Sequence, residues 1–449
     1  MAYPSPPEST PARRAPFGVR HGLDLARRLK RRLRRELDDA KLRWRGYEPT
    51  QLSPDRQLRF ATGLVRGRSP ERGRFVVGGL FTSTLGLGEG ARLFYGALES
   101  LGAEPRALNL SDAFPLHDRC AFDVGAAPTP KGGGVLVIHL NAPELPVALL
   151  CAGRAQVRRR RLIGYWHWEL PEIPPEWQSR FALLDEVWAP TAYVARAIAP
   201  FTRLPVHVVG HPVTPCAPAP LSRTDFGLPK EGVVFLCVAD ALSSLGRKNI
   251  DGVIKAFRAA FADDPRRTLV IKLTHTQHVP AVLATLRQHA QGAANIRLLL
   301  ETLQKEHLAA LMAASDIVVS LHRSEGFGLV LAEGMLAGKA VIATGWSGNM
   351  DFTNADNAAL VDHALVPVHD PQGVYTMPGQ RWAEPKLEHA TALMRALASD
   401  EGRRLRLGEA GRQSAARAFS IATLADALRR TSAMPYLDDA TARALGAPE

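Results

Sequence analysis

SEGFGLVLAEGMLAGKAVIAT (residues 324–344) follows an apolar run, DIVVSLH (316–322), and closes on another, AVIAT (340–344). Short β-branched runs on either side of a glycine loop and a longer apolar segment read as strand, loop, helix, strand. Such a βαβ unit implies a parallel sheet. Between Leu329 and Gly338 every position is apolar or glycine except Glu333, and Gly338 is a natural helix stop. A helix of that composition is buried. An ionised carboxylate on it is costly unless several donors satisfy it, so Glu333 either faces a ligand or joins an internal hydrogen-bond network.

Glu325 falls in the loop before the helix, where Gly326 and Gly328 let the backbone turn and approach a ligand closely. Both carboxylates are therefore expected to face one crevice. The N-terminus of the same helix offers unpaired backbone N–H groups and a positive dipole end, suited to phosphate. Carboxylates that bind vicinal hydroxyls beside a phosphate-binding helix end suggest a sugar nucleotide. A helix cap plus a satisfied core glutamate is the plainer reading of the same pair.

Outward from this unit the chain alternates between strand and helix patterns in two series. From RFVVGGL (74–80) come a helix at GLGEGARLFYGALESLG, strands at GVLVIHL (134–140), RLIGYW (161–166), DEVWAP (185–190) and PVHVVGH (205–211), and a helix at PELPVALLCAGRA. The proline-rich HPVTPCAPAPLSRTDFGLP (211–229) reads as a linker. The second series runs through VVFLCV (233–238), TLVIKL (268–273) and IRLLL (296–300) to the unit already described. The expected organisation is an extension over 1–72, a doubly wound domain over 73–211, a linker over 212–229, a second such domain over 230–385, and terminal helices over 386–449.

With 449 residues and 46% apolar content the chain is large enough for two or three well-formed cores. No run approaches a membrane span, and the N-terminus lacks the apolar core of a signal peptide, so a cytoplasmic location is expected. Cys120, Cys151, Cys216 and Cys237 are scattered without C-x-x-C spacing, which argues against a zinc site or a disulfide framework. Of the net charge of +12, residues 13–45 carry +9, from 13 basic and four acidic side chains. Leu25, Leu29, Leu33 and Leu37 recur there every four residues among arginines, the pattern of a basic amphipathic helix. It suits an anionic membrane surface, where each cation contributes ~1 kcal/mol, and equally a solvated or protein-docked extension. Nucleic acid is not expected as a partner, since no nucleic-acid-binding fold accompanies the basic residues.

The stretch S-E-G-F-G-L-x-L-A-E-G-M resembles the donor-site motif of retaining family-4 glycosyltransferases of the GT-B fold, with GWSGNMDF (345–352) at that family's second glycine turn. RKNIDGVIKAF (247–257) resembles the family's lysine-bearing segment and FTSTLGLGEGAR (81–92) its N-domain glycine loop. GYWHWELPEIPPEW (164–177) and QRWAEP (380–385) resemble a polysaccharide mannosyltransferase subgroup. The resemblance covers roughly 73–430. It implies two Rossmann-like domains facing a cleft, no cofactor beyond a nucleotide-sugar donor, no metal, and a glycan or lipid-linked glycan acceptor.

Carried over position by position, Glu325 would sit near the reacting sugar carbon and Glu333 would hold the ribose hydroxyls. Gly326, Phe327, Gly328 and Leu329 would line the phosphate end, with Arg247 and Lys248 supplying charge to the diphosphate. Many family members have a further arginine six residues before that lysine; this chain has Leu242. Gly86 and Gly88 would approach the diphosphate from the first domain, or simply form a turn. His167 is a candidate catalytic group and equally a packed core histidine. His139, Asn141 and Glu169 are candidate acceptor-side residues, because strand carboxyl ends carry the site in doubly wound sheets. The transfer envisaged is of a hexose, by analogy mannose from GDP-mannose. A UDP-sugar donor, or a catalytically silent scaffold of the same fold, are the competing readings.

Overall fold

The computed structural model describes residues 48–114, 119–123 and 132–446. The basic segment 13–45 lies outside them.

Six strands form the first sheet: β1 (Phe75–Gly79), β2 (Arg106–Asn109), β3 (Gly134–Ile138), β4 (Arg160–Tyr165), β5 (Glu186–Ala189) and β6 (Val206–Val208). All pairings are parallel, in the order β2-β1-β3-β4-β5-β6. The second sheet repeats the plan with β7 (Val233–Asp240), β8 (Arg267–Thr274), β9 (Ile296–Leu299), β10 (Ile317–Ser320), β11 (Ala340–Thr344) and β12 (Ala359–Val361). Its order is β12-β11-β10-β7-β8-β9, again parallel. Strands β1, β3 and β11 are buried along their whole length, as expected of sheets covered by helices on both faces.

Strand order reverses between β1 and β3 in the first sheet and between β7 and β10 in the second. Crevices open at such points, outside the strands' carboxyl ends, and ligands of doubly wound sheets bind there. The reversal brings the segment after β7, which holds Arg247 and Lys248, beside the segment after β10, which holds Glu325.

Two parts of the chain depart from the expected boundaries. Residues Pro54–Val65, assigned to the extension, form a helix whose Ala61 and Val65 join the core of the first domain. Its few apolar residues share one face of an otherwise polar segment, which conceals the helix in the sequence. A two-stranded antiparallel hairpin, β13 (His363–Pro367) with β14 (Arg381–Pro385), stands apart from both sheets. Tyr375, between its strands, and Trp382, on β14, are buried in the core of the first domain. At the C-terminal end, helix Glu401–Ala418 packs on the second domain through Ala415, and helix Ile421–Arg429 reaches the first. Leu424, Leu428, Leu437 and Leu445 lie in one apolar cluster with Phe75, Val77 and Val137 of β1 and β3.

Candidate active site

The loop holding Glu325 is shaped from both sides. Gly328 has φ +97° and directly precedes helix Leu329–Leu336, with no side chain capping the helix end. The turn after β11 supports the loop from behind. The Ser347 hydroxyl accepts from the Glu325 N–H at 2.8 Å, and the Gly348 N–H donates to the Glu325 carbonyl at 2.8 Å. A Cβ at Gly348 would lie 2.2 Å from the Gly326 oxygen, so this close approach requires glycine. From the first domain, Thr191 Oγ1 donates to the Gly326 carbonyl at 2.8 Å and the Ser324 hydroxyl donates to the Glu169 carbonyl.

The Glu325 carboxylate lies between two cations. Lys248 Nζ is 2.5 Å from Oε1 and Arg247 Nη1 is 3.1 Å from Oε2. Burial raises the carboxyl's pKa, but Lys248 and Arg247 outweigh it and hold the group down at about 2. Glu325 is therefore ionised throughout the physiological range. It cannot donate a proton, and it can stabilise positive charge next to it.

Arg247 is only 2% exposed and forms the hub. Nη1 donates to the Ser324 carbonyl at 2.7 Å and Nη2 to that of Ser243 at 3.1 Å, while Glu169 of the first domain lies 3.9 Å away. The Tyr375 ring sits over the guanidinium, 5.7 Å from its centroid, and packs on Trp168 at 5.6 Å. Tyr375 thus comes to the site from the hairpin loop, a residue the sequence reading did not single out. The loop is pinned where Asp370 accepts from the Ser244 hydroxyl at 2.7 Å, and where Gln380 donates to Glu172 at 3.2 Å.

Glu333 borders a cavity of about 310 Å³ lined by Thr214, Pro215, Cys216, Lys305, Leu308 and Met312, among others, and Glu325 is not part of that lining. The separation follows from the helix: Glu325 precedes it, whereas Glu333 projects from its second turn toward the linker. Burial and the negative charge of Glu89 lift the Glu333 carboxyl to about 7, with Lys305 opposing. Lys305 itself crosses between the domains to Glu89, at 2.5 Å.

The sign of this shift gives a prediction. A folded pKa raised above the unfolded value contributes stability below about pH 4.5, and that contribution is lost as pH rises through about 7. Replacing Glu333 by Gln removes the cost of ionising it. The variant's stability relative to wild type should therefore rise between pH 5 and pH 8, by on the order of 2 kcal/mol. Urea unfolding across that range checks this, and a difference independent of pH would contradict it.

The first-domain candidates divide. Asn141 Oδ1 accepts from the His167 N–H at 2.8 Å and so fixes the turn after β4. His167 Nε2 lies 2.8 Å from His211 Nε2. His139, expected at the cleft, is instead fully buried, stacked on Tyr165 at 4.3 Å and packed against Phe94; it is a core residue. Gly88 serves its own turn, since a Cβ there would lie 2.5 Å from the Leu80 oxygen, whereas Gly86 has open space around it. Phe327 packs between His211, Phe352 and Phe419 rather than lining a phosphate site. Leu329 opens the helix, and Gly326 lies against the Trp168 backbone.

Residues 220–373 match the family model described as glycosyl transferases group 1. This part of the chain is similar to a glycosyltransferase group 1 domain. Arg247, Lys248, Glu325 and Glu333 all lie within the matched span, and Tyr375 lies just beyond it. No curated protein matches the chain by sequence. Among solved structures, a glycosyltransferase from Rickettsia africae ESF-5 superposes with a TM-score of 0.55 at 14% identity, over 80% of this chain and 100% of that one. Anabaena Alr3699/HepE, solved with UDP and glucose, gives 0.56 at 14% identity, over 80% and 98%. S. aureus TarM gives 0.48 at 12% identity, and this chain spans only 54% of its length. The first two establish the GT-B fold, with the residues that match the group 1 model in its C-terminal half.

Proposed function

We propose that the protein is a retaining, metal-independent hexosyltransferase that moves a sugar from a nucleoside-diphosphate donor to a glycan or lipid-linked glycan. The observation that carries this reading is the Glu325 carboxylate held between Arg247 and Lys248 at the N-terminus of helix Leu329–Leu336. Cations and a helix end favour a diphosphate, and a permanently ionised carboxylate beside them favours a sugar carbon gaining positive charge. In the step envisaged, the bond from the sugar carbon to the phosphate oxygen breaks while the acceptor oxygen bonds to that carbon on the same face. The acceptor's hydroxyl proton passes to the departing phosphate oxygen. Arg247 and Lys248 then bear the negative charge that develops on the diphosphate.

The cavity beside Glu333 has the size and mixed lining of a nucleoside site. Mannose from GDP-mannose is the donor we favour, on the resemblance of residues 164–177 and 380–385 to polysaccharide mannosyltransferases. UDP-glucose is a second reading, supported by the UDP and glucose bound to Alr3699/HepE. Calorimetric titration with GDP-mannose, UDP-glucose, UDP-N-acetylglucosamine, GDP and UDP decides between them. We expect one sugar nucleotide to bind selectively, and to lose binding when Glu325 and Glu333 are both replaced by Gln. Failure of every donor to bind would leave a non-catalytic scaffold.

Lys248→Ala tests the phosphate assignment. Loss of one charge-assisted contact should weaken nucleoside diphosphate by on the order of 10-fold and spare the bare nucleoside. Equal losses for both would count against a phosphate contact.

A further inference from the structure

His211 opens the linker between the domains and is fixed from three sides. Its ring lies edge-on to Phe327 at 4.9 Å, and a Cβ at Gly90 would come within 2.8 Å of its Cε1. It also stacks on His167, with ring centroids 5.1 Å apart and planes 16° from parallel. Burial holds both histidines below the usual imidazole range, His167 at about 4, so both rings are neutral at pH 7. Each neutral ring has one N–H and one lone pair, and its neighbours decide which nitrogen carries which.

The order can be followed from Tyr165. Its hydroxyl donates to the Val209 carbonyl at 2.6 Å, which uses its only proton. Toward His211 Nδ1, 3.5 Å away, the phenol oxygen can only accept, so His211 carries its proton on Nδ1. His211 Nε2 is then a lone pair. The 2.8 Å contact between the two Nε2 atoms requires that His167 donate. His167 thus carries its proton on Nε2 and keeps a lone pair on Nδ1, a buried atom with no hydrogen-bond partner among the described residues. The Asn141 bond to the His167 backbone fixes the segment that bears the ring.

We propose that His211 is a positioning residue: through Tyr165 and His211 the fold imposes one tautomer on His167, with Nδ1 as the acceptor offered to a substrate hydroxyl. The tautomer rests on these contacts alone. Its catalytic consequence rests on the glycosyltransferase reading, because His167 lies two residues before Glu169, which faces Arg247.

The test combines nitrogen-15 histidine NMR with kinetics on the full chain, in wild type, His211→Leu and His211→Gln. A glutamine side chain can accept from His167 and donate to Tyr165; leucine can do neither. We expect His167 in the Nε2–H form in wild type and in His211→Gln, and a tautomer mixture in His211→Leu. We expect kcat for donor turnover to fall on the order of 10-fold in His211→Leu, the scale on which a partner that orients a histidine acts, with the donor Kd nearly unchanged and glutamine restoring the rate. An Nδ1–H form of His167 in wild type overturns the proposal, and so does a His211→Leu variant with unchanged tautomer. Absence of turnover by wild type would refute the glycosyltransferase reading, while the NMR comparison would still decide the tautomer.

Discussion

Replacing Glu325 by Gln should lower turnover by on the order of 100- to 1000-fold, yet leave nucleoside diphosphate bound within a few fold of wild type or more tightly. The two halves of this result have one cause. Glutamine keeps the shape of the side chain but not its charge, so the sugar carbon loses the ionised group that would stabilise it. Meanwhile Arg247 and Lys248 lose the carboxylate lying 3.1 and 2.5 Å from them, and an incoming diphosphate no longer competes with it. The same change should destabilise the protein without ligand, since a buried guanidinium and an ammonium are left side by side. Removing one partner of a buried ion pair costs about 3 kcal/mol. Wild-type levels of transfer in this variant would remove Glu325 from the mechanism. A matching loss of diphosphate affinity would mean that the carboxylate organises the phosphate site rather than the sugar.

Acid provides a second view of this pair. The Glu325 carboxyl is depressed from its usual range to about 2. Its contribution to stability is therefore present above about pH 4.5 and disappears as pH falls toward 2.

The alternation of apolar strands with amphipathic helices made both sheets legible, because buried parallel strands are short, β-branched and bounded by turn residues. Glu325 stands out from its place in the glycine loop after an apolar run, whereas Arg247 and Lys248 are singled out only through the family resemblance of residues 247–257. Where the reading fell short, the cause is contact between distant segments. Tyr375 reaches Trp168 and Arg247 from a hairpin loop whose sequence carries no periodic signal. Lys305 reads as an ordinary solvated residue at a helix start, and its bond to Glu89 spans 216 positions. His211 reads as the first residue of a linker, and only the folded chain sets it against His167. His139 shows the opposite failure. Strand-end position favoured the cleft, but Phe94 and Tyr165 close over the ring.

Arg247→Ala should be the most damaging single substitution in the site, and Arg247→Lys should recover little of the loss. The guanidinium serves four oxygen partners at once: the Ser324 and Ser243 carbonyls and the carboxylates of Glu325 and Glu169. Alanine leaves two carbonyls without this donor and two carboxylates facing each other across the domain boundary, with Lys248 left to offset Glu325. A loss of stability on the order of 3 kcal/mol is expected, with turnover reduced at least 100-fold. Lysine restores the charge but not the planar fork that holds the Ser324 and Ser243 carbonyls and Glu325 together, nor the flat face that lies against the Tyr375 ring. Because Glu169 belongs to the first domain and Glu325 to the second, the defect should extend to domain closure. Small-angle scattering of Arg247→Ala should give a larger radius of gyration than wild type, and addition of the cognate donor should not restore compactness. Full activity in Arg247→Lys would show that only a point charge is needed at this position, and that the interdomain geometry built around the guanidinium plays no part in transfer.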